Sequence, residues 1–234
     1  MIRSILRKGK QYFVKPFTMF LVNQCRVLPI YTVFENTYGY DKSITEKKSV
    51  NHQGAIPWFT YPTIDYLSQL DLTNKTVFEW GSGNSSTWFA GLCKSIVSIE
   101  DNVEWFNIVN KTKKPNHTLS LAKDETEYVQ IIHTFNTKFD IIIIDGKYRV
   151  ECAREAIKYL NEGGMIILDN ADWFKNTAKY LRGENLIEID FHGLGPINAY
   201  TWTTSIFLDR NFNFKPLREE QPKSLPYSLL NVED

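Results

Sequence analysis

The chain has 234 residues, enough for one substantial core with an appendage, and its 43% hydrophobic and 23% charged residues exclude pervasive disorder. Lys+Arg and Asp+Glu balance at 27 each, which excludes a global electrostatic footprint for nucleic acid and points to a small or weakly charged ligand. Cys25, Cys93 and Cys152 are widely spaced with no CxxC pair, so neither a disulfide framework nor a structural zinc site is expected, and a reducing, cytoplasmic setting fits.

The first 30 residues carry Arg3, Arg7, Lys8, Lys10, Lys15 and Arg26 with no acid before Glu35. Two readings stay open: peripheral contact with an anionic membrane surface, or a terminal helix packed on its own domain or on a partner subunit. FTMFLV at 17–22 is too short to span a bilayer and lacks the cleavage pattern of a signal peptide. Residues 1–75 read as an irregular N-terminal region, with IPWFTYP at 56–62 a packed loop before a helix at 63–70; Trp58 and Tyr61, like Trp202 later, read as core or loop packing, with an aromatic-lined sugar or phenol pocket the alternative.

From residue 76 the pattern becomes regular. Strands are expected at 76–80, 95–100, 117–121, 139–144 and 164–168, the unbroken isoleucine runs marking strands buried on both faces. Helical spacing between them (Trp88, Phe89 and Leu92; Val103, Phe106 and Val109; Ala153, Ala156, Ile157 and Leu160) makes the chain α/β with a parallel sheet. A helix is expected at 171–182. LIEID at 186–190 and TSIFLD at 204–209 have no room for a crossover helix between them, so the sheet closes with an antiparallel hairpin, and 211–234 is a surface-hugging tail.

The chemistry begins at the end of the 76–80 strand. Glu79 leads into Gly81-Ser82-Gly83-Asn84-Ser85-Ser86 before a helix, a loop whose glycines permit a tight turn and close backbone approach to a ligand. The next strand ends in Glu100, at the distance along the chain where a carboxylate accepts ribose hydroxyls. NAD or NADP in an oxidoreductase is the rival ligand, but a diphosphate favours a third glycine, absent here, and Glu79 suits an amine or a sulfonium better.

Together, EWGSG at 79–83, Glu100, FDIIIIDG at 139–146 and GGMIILDN at 163–170 resemble the class I S-adenosylmethionine-dependent methyltransferases over residues 76–210. That resemblance implies a Rossmann-like sandwich with a seven-stranded, mostly parallel sheet, order 3-2-1-4-5-7-6, closed by the antiparallel hairpin. It implies that Glu79, Gly81, Gly83 and Ser85 line the amino-acid end of the cofactor, that Glu100 binds its ribose with Asp101 alongside, and that Asp124 lies where the family contacts adenine.

Asp145 and the Asp169-Asn170 pair end adjacent parallel strands, so their oxygens are expected on one sheet edge beside the cofactor. Hard oxygen donors suit Mg²⁺, Mn²⁺ or Ca²⁺, which could lower the pKa of an acceptor hydroxyl. The arrangement is similar to the cation-dependent O-methyltransferases, in some of which a lysine after the first acid is a base; Lys147 stands one residue early for that role. The competing expectation is that Asp169 or Asn170 caps the helix at 171–182. His192 and Arg149 are further candidates to meet substrate, His192 as a base. The expected activity is O-methylation of a small hydroxylated acceptor, a sugar or glycan intermediate for preference, and a non-catalytic cofactor-binding module is the other class.

Overall fold

A computed structural model describes residues 27–222, so the basic segment as far as Arg26 and the tail beyond 222 lie outside the described residues. Among the described residues no helix is long and apolar enough to cross a membrane. The N-terminal region supplies α1 (Val27–Tyr38), α2 (Tyr40–Glu46), a small ribbon of β1 (Val50–Asn51) and β2 (Gly54–Ala55), and α3 (Tyr61–Leu67). The last begins two residues earlier than expected because Pro62 sits in its first turn, where a missing N–H costs nothing.

There follow β3 (Thr76–Trp80), α4 (Asn84–Phe89), β4 (Ser95–Glu100), α5 (Val103–Thr112), β5 (His117–Leu121), α6 (Glu125–Gln130), a 3-10 turn, β6 (Phe139–Ile144), α7 (Arg149–Tyr159), β7 (Leu160–Leu168), α8 (Lys175–Arg182), β8 (Leu186–Gly193) and β9 (Trp202–Asp209). The sheet runs β5-β4-β3-β6-β7-β9-β8, with β9 antiparallel to both its neighbours and the other pairings parallel. Counted from residue 76, that is the order the resemblance implied. The order in which strands are added switches side between β3 and β6, which run parallel, and this switch opens a crevice at their carboxyl ends.

The isoleucine runs are buried on both faces, as the unbroken pattern predicts. Ile142, Ile144, Ile166 and Leu168 pack under α6, α7 and α8 with Tyr128, Cys152, Ala156 and Leu181. Ile141, Ile143, Met165 and Ile167 pack under Ile56, Phe59, Tyr61 and Leu67 of the N-terminal region, joined by Phe89 and Phe214. The N-terminal region thus completes one layer of the same core. Cutting any of these isoleucines to alanine is expected to cost about 2–5 kcal/mol.

Three local boundaries differ from the expected ones. β7 starts at Leu160 rather than 164, because its pairing shifts register between Leu160 and Met165 opposite Phe139 and Ile141. Gly163 (φ +74°) and Gly164, where a Cβ would lie 2.6 Å from the Asp140 carbonyl oxygen, make that bulge. Leu92 falls beyond α4 and is partly exposed, and Leu160 belongs to β7 rather than to the helix before it. Residues 171–174 form a turn held on the Asn170 carbonyl, with Trp173 N at 2.8 Å and Phe174 N at 3.0 Å, so α8 starts only at Lys175.

Candidate active site

Glu79, the penultimate residue of β3, has 1% of its surface exposed. Its carboxylate accepts hydrogen bonds from Ser85 Oγ (2.5 Å), from Ser86 Oγ and from Ser98 Oγ (2.8 Å). Glu79 and Ser98 are register partners on β3 and β4, and the other two serines open α4, so one buried acid ties two strands to the helix. Burial pushes its pKa up to about 7 against the pull of the three hydroxyls, with the nearby Asp145 charge adding to the rise. Ser98 in turn contacts His117 Nε2 at 3.0 Å, and burial holds this imidazole down at about 4. The acid expected at the cofactor's amino-acid end therefore faces the root of the loop, and the Ser85 hydroxyl faces it.

Gly81 adopts φ +104°, and a Cβ there would meet the Asp145 carbonyl oxygen at 3.2 Å, so the loops after β3 and β6 touch backbone to backbone. Above Gly83 lies the Trp105 ring, whose Nε1–H donates to the Ser82 carbonyl at 2.7 Å. Glu100, buried at the end of β4, accepts from Ser82 Oγ at 2.8 Å and from the backbone N–H groups of Asp101 (3.1 Å) and Asn102 (3.0 Å). Glu79, Gly81, Gly83, Ser85, Glu100 and Asp101 thus gather around one loop. Asp124 stands apart at the head of α6, where it caps the helix by accepting from Glu127 N at 2.9 Å.

Lys147 does not join the acids. Its exposed ammonium bonds to Asp101, and that partner raises its pKa, the opposite of what a general base requires. His192 is exposed on β8, bonded to Thr203 Oγ1 at 3.1 Å, and does not line the cleft described below.

Asp145 and Asp169 do meet, at the ends of β6 and β7, with Arg149 between them. The guanidinium, only 8% exposed, donates to Asp145 Oδ1 (3.1 Å), to the Asp169 carbonyl (2.5 Å) and to the Gly146 carbonyl (2.9 Å), and lies 3.9 Å from the Phe174 ring centroid. Asp169, 3% exposed, accepts on Oδ1 from Thr204 Oγ1 at 2.6 Å and Trp202 Nε1 at 3.0 Å. Neither Asp169 nor Asn170 caps α8, which Phe174 precedes; Asn170 instead turns the chain with φ +52°. Burial pushes Asp145 up to about 6, opposed by Arg149, and burial with the Asp145 charge pushes Asp169 well above the usual carboxylate range. The Oδ2 atom of each acid has no donor among the described residues.

For the expected cation the donor set fits poorly. Arg149 already supplies a positive charge on Asp145, and Asp169 Oδ1 is committed to Trp202 and Thr204. What remains is one oxygen from each acid and the Asn170 amide, beside a fixed guanidinium that repels Mg²⁺ or Mn²⁺. Among the described residues no cluster of three or more His, Cys, Asp or Glu side chains is placed to hold a metal ion.

These acids form the floor of a cleft of about 470 Å³ that also reaches Ser82 of the glycine loop and Asn170. Its walls are Trp58, Trp105, Trp173 and Tyr200, with Asn198. Trp58, 46% exposed in the loop before α3, is therefore a cleft residue and not packing; Tyr61 and Trp202 are core, as expected, Trp202 also holding Asp169. Trp105, Trp173 and Tyr200 escaped the sequence reading. The signal for Trp173 was its place three residues past the Asp169-Asn170 pair.

The sequence matches no protein-family model and no curated protein. Solved structures do match. An O-methyltransferase from Bacillus cereus in complex with SAH superposes with a TM-score of 0.54 at 17% identity, covering 66% of this chain and 84% of that one. A precorrin-6y C5,15-methyltransferase from Geobacter metallireducens GS-15 gives 0.52 at 14% identity over 71% of this chain and 96% of the other. The O-methyltransferase of tomaymycin synthesis from Streptomyces achromogenes, in complex with SAM, gives 0.51 at 15% identity, with coverage of 62% and 77%. The chain has the class I methyltransferase fold.

Proposed function

We propose that the protein is an S-adenosylmethionine-dependent O-methyltransferase acting on a small hydroxylated acceptor, a sugar or glycan intermediate. The observation that carries the reading is one cleft lined both by Ser82 of the glycine loop and by Asp145 and Asp169, whose Oδ1 atoms alone are engaged by donors. The residues suit the cofactor. Gly81 leaves backbone where a side chain would crowd the loop, and Ser82 Oγ donates to Glu100 as a ribose hydroxyl would. Bound S-adenosylmethionine supplies an electrophilic methyl group: the acceptor oxygen forms the new C–O bond as the C–S bond breaks, leaving neutral adenosylhomocysteine.

The chain's own part is to position and deprotonate the acceptor. Asp145 takes the hydroxyl proton on its open oxygen and passes it to water, while the guanidinium of Arg149 fixes the orientation of that carboxylate. Asp169, locked by Trp202 and Thr204, holds the second open oxygen beside it.

Calorimetry with adenosylhomocysteine, followed by mass-spectrometric detection of adenosylhomocysteine formed from S-adenosylmethionine with a panel of hydroxylated acceptors, tests the reading. Micromolar binding and acceptor-dependent turnover are expected. Tight NAD binding with no adenosylhomocysteine binding would overturn it.

A further inference from the structure

We infer that Trp173 and Tyr200 form a stacking platform for an uncharged sugar ring, which is the acceptor; this rests on the methyl-transfer reading and narrows its substrate class. The four aromatic residues of the cleft are each between 44% and 55% exposed, whereas Trp80 and Trp202 are buried to within 1%. They come from separate segments: the loop before α3, the first turn of α5, the turn after β7 and the β8–β9 connection. Half-exposed rings from distant parts of the chain, converging on one cavity of small-ligand size, are a lining rather than scattered surface residues.

The platform is mechanically joined to the acids. Trp173 and Tyr200 have ring centroids 6.1 Å apart with planes inclined by 36°, and Tyr200 lies 6.0 Å from Trp202, whose Nε1–H holds Asp169. The backbone of both supporting loops is held in left-handed conformations, at Asn170 (φ +52°) and at Ile197 (φ +72°), the latter uncommon for a β-branched residue. Such conformations persist where surrounding structure enforces them, and they cluster at ligand clamps.

Chemistry selects the occupant. A pyranose offers apolar C–H faces to the rings, and a rim of hydroxyls to Asp145 Oδ2, Asp169 Oδ2, Asn170 and Asn198. A phenol has one hydroxyl and leaves the rest of that polar floor unpaired, which is costly once water is excluded. A uronate or a phosphate meets two carboxylates in a cleft with no Lys or Arg in its lining, Arg149 being buried and engaged on three sides. That Arg149 also compensates Asp145 weakens the case for an amine.

Saturation-transfer NMR with saturating adenosylhomocysteine tests this on methyl glucoside, galactoside and mannoside, set against methyl glucuronide, glucosamine and catechol. Transfer to ring C–H protons of a neutral glycoside is expected. Trp173→Ala and Tyr200→Ala each weaken that binding roughly 2- to 10-fold, Trp173→Phe restores most of it, and adenosylhomocysteine affinity stays unchanged in all three. If adenosylhomocysteine binds but the neutral glycosides stay silent, or if Trp173→Ala and Tyr200→Ala bind them as well as the parent, the platform is wrong and the methyl-transfer reading stands. If adenosylhomocysteine itself fails to bind, both fall.

Discussion

Replacing Glu79 by glutamine probes the buried cluster that anchors the glycine loop. In the folded chain this carboxyl titrates near 7, against about 4.3 in an unfolded one. The fold therefore keeps a proton over a range in which the unfolded chain has lost it, so the stability linked to Glu79 is whole below about pH 4 and is lost as pH rises through 7. At about 1.4 kcal/mol per pH unit, the loss accumulated between pH 5 and 8 is about 2.5 kcal/mol. His117, held near 4 by burial, acts with the opposite sign: its contribution is whole above its unfolded value of about 6.5 and is lost as pH falls through 4. Between about pH 4.5 and 6.5 these two slopes oppose each other and nearly cancel, leaving the raised Asp145 and Asp169 to add their own fall with pH. Glutamine keeps the shape of the side chain, and its partners Ser85, Ser86 and Ser98 can accept as well as donate. Urea unfolding of parent and variant at pH 5, 6, 7 and 8 isolates the effect, because the His117 contribution cancels in the difference. The variant is expected to gain about 2.5 kcal/mol relative to the parent across that range. A difference that stays constant with pH would show that Glu79 does not hold its proton in the fold, and the argument from burial would fail.

Glu100→Ala is expected to weaken adenosylhomocysteine binding roughly 10- to 100-fold by calorimetry, the worth of a charge-assisted hydrogen bond. Asp124→Ala should cost about 1 kcal/mol of stability through loss of the α6 cap and leave that affinity alone; a drop in affinity would put Asp124 on the cofactor. With an acceptor in hand, turnover should be indifferent to EDTA. Arg149→Lys, which keeps the charge but not the three-way fork, should lower kcat more than it raises KM. Loss of turnover in EDTA with recovery on adding Mg²⁺ would restore the cation reading.

The sheet was legible because its evidence is periodic and redundant: two strands with unbroken apolar runs, IIII at 141–144 and MIIL at 165–168, are central, and a short link between the last two forces a hairpin. Boundaries set by single tertiary contacts were not legible. Nothing local announces that Gly164 faces the Asp140 carbonyl and bulges β7, or that Asn170 turns left-handed and delays α8 to Lys175. At the site, the sequence located the acids by their strand ends but could not say what they face. Glu79 lies on a strand buried on both sides, so its carboxylate had two apolar layers to choose between, and the three serines that decided the matter lie 6, 7 and 19 residues away. Trp58 joins the cleft from the loop before α3, more than 80 residues before the acids, a placement no periodicity encodes.

Arg149 is where sequence and structure part most, since four residues of spacing after Asp145 carry no hint that the guanidinium bonds that acid and the Asp169 carbonyl beside the expected metal site. Its position is consistent with the charge flow of the proposed reaction. Burial and mutual repulsion favour a proton on the Asp145–Asp169 pair, and a bound sulfonium is the complement that favours both acids ionised, when two carboxylates and one guanidinium leave one negative charge uncompensated. Methyl transfer removes the sulfonium charge and releases a proton from the acceptor, which one of the acids can take. Two negative and two positive groups before the step become one of each after it, with neutrality kept throughout and no ion imported. A divalent cation in the same place would bring two further positive charges to a site about to receive a third, beside a guanidinium that buried packing against Phe174 prevents from withdrawing.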